Sequence, residues 1–231
     1  MTNTNSRQVS EIKEQNRFLA RTYLWMTIAL LISGAVAFFT ALSAGANTEQ
    51  YLKLYRAFPV LAIAEIILVW YLSSRIRKIS AAKAGFFFLV YSVLNGITLS
   101  IIFLVYHLDS IASIFVISAG MFASMAVYGS VTKQNIMSFG RYLFMALVGI
   151  LIASVVNIFL GSSALNTMIS IITVVVFTGL TAYDAQKMIK ASQHAEDTEV
   201  FKKASIIGAL ELYLDFINIF LAMLRLFGRR K

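Results

Sequence analysis

The chain has 231 residues, 59% of them hydrophobic and only 13% charged, with a mean hydropathy of +0.77. Soluble domains carry about 45–50% apolar and about 25% charged residues, so no soluble core of this size could hide the apolar surface, and a bilayer is the fitting solvent. The absence of cysteine excludes disulfides, thiol catalysis and zinc–cysteine sites, and the net charge of +9 lies between apolar runs, which marks topology and anionic-lipid contact rather than nucleic-acid binding.

Residues 1–22 are polar and mixed in charge. They lack the early apolar run of a signal peptide, so they read as a retained cytoplasmic segment. Val9, Ile12, Phe18 and Leu19 lie on one helical stripe, which suits a short interfacial helix or else a frayed tail. Residues 23–231 read as one membrane domain without a linker.

Seven apolar runs follow, at Leu24–Ala44, Phe58–Ser74, Ala84–Tyr106, Ile111–Val131, Tyr142–Leu160, Leu165–Tyr183 and Ser205–Phe227. Each approaches the ~20 residues that cross ~30 Å of hydrocarbon. The second is short unless it begins before Pro59 or passes Ser74. Pro59 is the only proline, as long uninterrupted helices require. The seventh holds Glu211, Asp215 and Asn218, so it cannot face lipid on all sides. It is expected at the centre of the bundle, or re-entrant. The predicted fold is an all-α membrane protein of seven transmembrane helices with the seventh central.

With the N-terminus inside, the inner segments hold fourteen of the twenty Lys and Arg residues, the asymmetry that sets orientation. Arg225, Arg229, Arg230 and Lys231 break it, and the length of the seventh run favours full crossing over a re-entrant path. Gly120 with Ser124, and Gly149 with Ala153, have the four-residue spacing that lets helices approach closely.

Chemistry rests on four acids in apolar runs: Glu65, Asp184, Glu211 and Asp215. A charged carboxylate there costs at least ~2.5–3.5 kcal/mol, so each needs a partner, water or a proton. Asp215 lies roughly 15 Å deep at about ten residues into its run, with Glu211 one turn earlier on the same face. Asp184 sits at the inner end of the sixth run, where a plain interfacial residue is the alternative. If the sixth and seventh helices are neighbours, Asp184 and Asp215 could face each other and titrate as a pair. They are also hard oxygen ligands for Ca²⁺, though too few to close a cage of six to eight oxygens, so a transient site is expected. Glu65 calls for an interior hydroxyl or a basic group. Arg75 or Arg77 could pair with Asp184, or both could be positive-inside anchors. His107 and His194 read as surface residues. No signature of a metalloprotease, a serine hydrolase or a phosphate-binding loop occurs, so no enzyme and no cofactor is expected.

The stretch Gly208-Ala209-Leu210-Glu211-Leu212-Tyr213-Leu214-Asp215-Phe216-Ile217-Asn218-Ile219-Phe220, with Leu224-Arg225-Leu226-Phe227-Gly228 after it, closely resembles the signature of the Bax inhibitor family. Tyr183-Asp184-Ala185-Gln186-Lys187 is similar to its sixth-span motif and Asn95-Gly96-Ile97-Thr98-Leu99 to its third-span segment. The resemblance covers roughly residues 20–231 and points to a prokaryotic-type member in a bacterial inner membrane. It implies a seventh helix surrounded by the other six, and a pH-sensitive calcium leak governed by an aspartate pair that matches Asp184 and Asp215. It also implies a latch arginine at the end of the second span, at Arg75 or Arg77. Association with a membrane-bound quality-control protease is the alternative role that the resemblance carries.

Overall fold

The structure is a computed structural model that describes residues 2–192 and 198–231. His194 and the side chains of Val9 and Ile12 lie outside the described residues. Among the described residues seven α-helices carry the fold: α1 (Thr2–Ala46), α2 (Thr48–Arg75), α3 (Ala81–Val105), α4 (Leu108–Val131), α5 (Gly140–Leu160), α6 (Ser163–Ser192) and α7 (Glu199–Phe227). A 3₁₀ turn at Ile136–Phe139 precedes α5. All seven are long and apolar enough to cross a membrane. Lipid offers the backbone no hydrogen bonds, so every spanning segment must satisfy its own, as a helix does.

Side chains mark where helices start. Asn47 Oδ1 accepts from the Glu49 N–H (2.9 Å) ahead of α2, and Ser80 Oγ accepts from the Lys83 N–H (3.3 Å) ahead of α3, the preferred N-cap arrangement. Gly161, at φ 62°, ends α5 in the left-handed region, and its N–H bonds Asn157 O, a common C-terminal stop.

α1 runs unbroken from Thr2 through residue 22, and Phe18 and Thr22 are fully buried. Two helix boundaries differ from the apolar runs. α2 begins before Pro59 and encloses it, which resolves the short second run. A proline inside a spanning helix is tolerated because neighbouring groups and local adjustments satisfy the freed carbonyl. α6 continues past Tyr183 to Ser192, so Asp184 does not mark a helix end.

The described chain divides into two compact units. The first holds α1, α2, α3, the start of α7 up to Leu210, and Lys231. There α1 packs along α3 and α2 packs on both. Phe18 of α1 meets Phe201 of α7 edge-on at 5.1 Å. Contacts in this unit also decide the path of α7. Glu199, its first residue, accepts from the Ala81 N–H (2.5 Å) at the start of α3. Beyond its end, the Lys231 N–H donates to Val105 O (2.9 Å) and Lys231 Nζ to Phe103 O (2.7 Å), at the finish of α3. α7 thus covers the same span as α3, and its 29 residues reach about 43 Å. The helix crosses fully and is not re-entrant. A lysine on the last carbonyls of α3 is favourable, which accounts for one cation that breaks the charge pattern.

The second unit holds His107–Lys190 and Glu211–Arg230. Phe216 of α7 stands edge-on to Phe115 (5.3 Å) and Phe122 (5.8 Å) of α4 and stacks on Phe220. α5 is the most apolar span, and none of its spanning stretch is buried, whereas 67% of that of α7 is. The span that carries Glu211, Asp215 and Asn218 is therefore the most buried one, as expected when lipid is the solvent.

The small-residue pairs read from spacing do not make close approaches. A Cβ built on Gly120 or Gly149 meets nothing within 4 Å, because both sit on exposed helix faces.

Candidate functional site

On α7, Glu211, Asp215 and Asn218 are spaced four and three residues apart, which puts them on one stripe. On α6, Asp184 and Lys187 are three apart and share a face. Within the second unit these stripes meet as two rungs. Lys187 Nζ bonds Glu211 Oε1 at 2.6 Å. One turn away, the carboxyl groups of Asp184 and Asp215 lie within hydrogen-bonding reach of each other. The reversed order of the rungs along the two helices means that α6 and α7 run antiparallel here.

Both aspartates are buried, Asp184 at 8% and Asp215 at 4% exposure. Lys187 Nζ also stands 3.8 Å from Asp184 Oδ1, too long for a hydrogen bond but close enough for charge attraction. Asp215 Oδ2 is buried without a hydrogen-bond partner among the described residues. The four groups therefore form one chain, Glu211–Lys187–Asp184–Asp215, with three acids, one base and an unserved oxygen at its deep end.

The neighbouring packing holds Asp184 in place. Gly129 of α4 lies against the backbone of Ala182, where a Cβ would collide with the carbonyl, and a Cβ on Gly140 would sit 2.7 Å from the Tyr183 ring. At Gly129, where the obstacle is backbone, only glycine permits the approach. On the other side, Gln186 Nε2 donates to Gln134 O (2.7 Å) and its Oε1 accepts from the Met137 N–H (3.3 Å). α6 is thus clamped at residues 182, 183 and 186, around Asp184.

Glu65 is placed elsewhere, in the first unit. Its Oε1 accepts from Thr98 Oγ1 (2.7 Å) and its Oε2 from Asn95 Nδ2 (3.0 Å). The hydroxyl partner is one that its place inside a span called for, and both donors come from the third-span segment. Arg75 and Arg77 also belong to the first unit, and both are exposed. The base beside Asp184 in its own unit is Lys187. His107 is half-buried, and its N–H donates to Arg229 O (3.0 Å).

Lys187 and Gln186 stood in the sixth-span motif, but the sequence reading gave neither a role at the site. The signal for Lys187 was its three-residue spacing from Asp184, matched by the four-residue spacing of Glu211 and Asp215. Beyond the motif Gln186 carried no signal of its contacts, since its partners are main-chain groups of the segment before α5.

The chain matches, over residues 15–231, the family described as Inhibitor of apoptosis-promoting Bax1. It is 48% identical over 217 residues to the inner membrane protein YbhL of Escherichia coli (strain K12), an overlap of 93% of this chain and 92% of that protein. An uncharacterized protein of Borreliella burgdorferi is 42% identical over 232 residues, 98% of this chain and 97% of its own length. One of Deinococcus radiodurans is 40% identical over 224 residues, 96% and 95% of the two lengths. With matches that span almost its whole length, this integral multi-pass membrane protein belongs to the Bax inhibitor family.

Proposed function

We propose that the chain forms a pH-sensitive cation leak, with Ca²⁺ as the permeant ion and the Asp184–Asp215 pair as its proton-operated gate. One observation carries the reading: two buried carboxyl groups within hydrogen-bonding reach, inside two spanning helices. Ionised carboxylates only accept hydrogen bonds, so two of them bond only when one holds a proton. With that proton the pair carries one negative charge. Without it the pair carries two, which repel each other and attract a divalent cation. A proton and Ca²⁺ therefore compete for the same oxygens, and cation binding releases the proton.

The sign follows directly. Acidification fills the pair with protons and lowers Ca²⁺ passage; alkalinisation empties it and raises passage. Among the described residues no three His, Cys, Asp or Glu side chains gather as a metal site, which favours a passing ion over a stored one. Lys187 and Glu211 would tune the local charge. Glu65 sits with neutral donors, outside this gate. We place the protein in a bacterial inner membrane with its N-terminus cytoplasmic, on the charge asymmetry of its loops and on its likeness to an inner membrane protein. The resemblance's latch between Asp184 and Arg75 or Arg77 is a further element of this proposal.

The test is Ca²⁺ flux into dye-loaded vesicles holding the purified protein, read from pH 6 to 8. Wild type is expected to slow as pH falls. Asp215→Asn, which gives Asp184 a permanent amide donor in place of the proton, is expected to lose that slope. A variant with unchanged flux and an unchanged slope would sink the proposal.

A further inference from the structure

In the first unit a cleft of about 430 Å³ opens between the turn after α2 and the first turns of α7. Ile76, Val200, Ala204 and Ile207 line it together with two cations, Arg77 and Lys203. Lys203 Nζ donates to Arg77 O (3.4 Å), which ties the two sides together. Among the described residues no acid lines the cleft and neither cation has an ion-pair partner. Glu199, next to Val200 in the chain, directs its carboxylate to the Ala81 N–H instead.

The cleft's level in the membrane follows from the spans around it. α2 ends at Arg75, α3 begins at Ala81 and α7 begins at Glu199. All three ends meet one bilayer surface, where lipid phosphate gives way to acyl chain. An apolar cleft with two cations at its mouth matches that change in polarity. Water would leave the apolar lining hydrated, and a purely apolar guest would leave both charges unmet. A guanidinium beside an ammonium suits a phosphate, the first as a bidentate fork and the second as a point charge. Basic pockets at helix ends on the basic side of a membrane bind anionic headgroups in this way.

We propose that the cleft holds one anionic phospholipid. Its phosphate lies between Arg77 and Lys203, and the upper part of an acyl chain follows Ile76, Ala204 and Ile207. A zwitterionic lipid carries its own cation and gains little from the two bases. At about fivefold per basic residue near the surface, two cations give phosphatidylglycerol an advantage over phosphatidylcholine of roughly twentyfold.

The test is native mass spectrometry of the full chain in detergent, titrated with phosphatidylglycerol, phosphatidylcholine or glycerol phosphate. Wild type should retain phosphatidylglycerol roughly twentyfold better than phosphatidylcholine, and should not retain glycerol phosphate. Arg77→Gln and Lys203→Gln should each cost about fivefold, and the double variant should erase the preference. Ala204→Leu narrows the cleft without changing charge, and should weaken phosphatidylglycerol retention. Lys78→Gln with Lys83→Gln removes as much charge at the same surface, outside the cleft, and should leave retention intact. Equal retention of both lipids overturns the proposal. So does an equal loss in the Lys78/Lys83 control, which would assign binding to diffuse surface charge. Retention of glycerol phosphate as tight as that of the lipid, unaffected by Ala204→Leu, would mean a free-phosphate site and overturns it too. None of these readouts depends on ion flux.

Discussion

Among the described residues, Glu65 and the Asp184–Asp215 pair place carboxyl groups within spanning helices, and they are served in opposite ways. Glu65 has a neutral donor for each oxygen, the Thr98 hydroxyl and the Asn95 amide. Asp215 has, among the described residues, no donor for one oxygen, and it faces another acid. The first arrangement is complete and links α2 to α3. The second is acceptor against acceptor, and it closes only when a proton or a cation enters. An acid in a membrane span is thus no mark of function by itself. Its donor set distinguishes a structural carboxylate from one that must exchange a ligand.

The largest expected effect comes from treating the pair as one unit. Asp184→Asn and Asp215→Asn should each abolish the pH slope of Ca²⁺ flux, and the double variant should add little to either. Groups that share one proton are strongly non-additive. Flux in the double variant is expected within about twofold of either single variant, against the product of two independent losses for separate sites. Product-like behaviour in vesicle assays would dissolve the pair, and with it the contrast to Glu65.

Next in size is Lys187→Met. Lys187 is the only base among the four linked groups, and its side chain is 42% exposed. Removing it leaves Glu211 and Asp184 without their neighbouring cation. Water and salt soften the change, so the stability loss is about 1 kcal/mol rather than the several of a fully buried pair. Ca²⁺ passage at fixed pH should rise severalfold, because the cluster becomes more negative by one charge. Dye-flux rates together with melting in detergent separate the two effects. Melting that falls while flux stays unchanged would make Lys187 a packing residue only.

The seven spans were legible because lipid demands about 20 apolar residues per crossing, and this demand is written directly in composition. The same signal did not mark the end of α6, which lies beyond Asp184. Hydropathy reports where the lipid ends, whereas α6 continues two turns further through Gln186, Lys187 and Lys190. Spacing singled out Gly120 and Gly149, which face outward, and passed over Gly129 and Gly140, which touch Ala182 and Tyr183. A four-residue repeat shows that two residues share a helix face but not what that face meets. Asn95 and Thr98 were visible as a motif, and Glu65 as a buried acid in need of donors. That they serve each other depends on how α2 packs against α3, a tertiary fact that no local pattern encodes.

The smallest expected effect, and the sharpest control on the comparison, is Glu65→Gln. The glutamine keeps a carbonyl oxygen that accepts from the Thr98 hydroxyl. It replaces the second oxygen with an amide, which meets the Asn95 amide donor to donor. One of the two hydrogen bonds is therefore lost and a charge-assisted one becomes neutral, a cost of about 1–2 kcal/mol. Melting in detergent should drop by a few degrees, while Ca²⁺ flux and its pH slope stay within about twofold of wild type. Thr98→Val should lower melting by a similar amount, since it removes the other donor and keeps the side-chain volume. The two variants together should cost slightly less than their sum, because they remove different hydrogen bonds but Glu65→Gln has already weakened the one that Thr98→Val deletes. If Glu65→Gln instead flattened the pH slope as Asp215→Asn is expected to do, a fully served carboxylate would be part of the gate. Donor count would then no longer separate structure from function in this membrane domain.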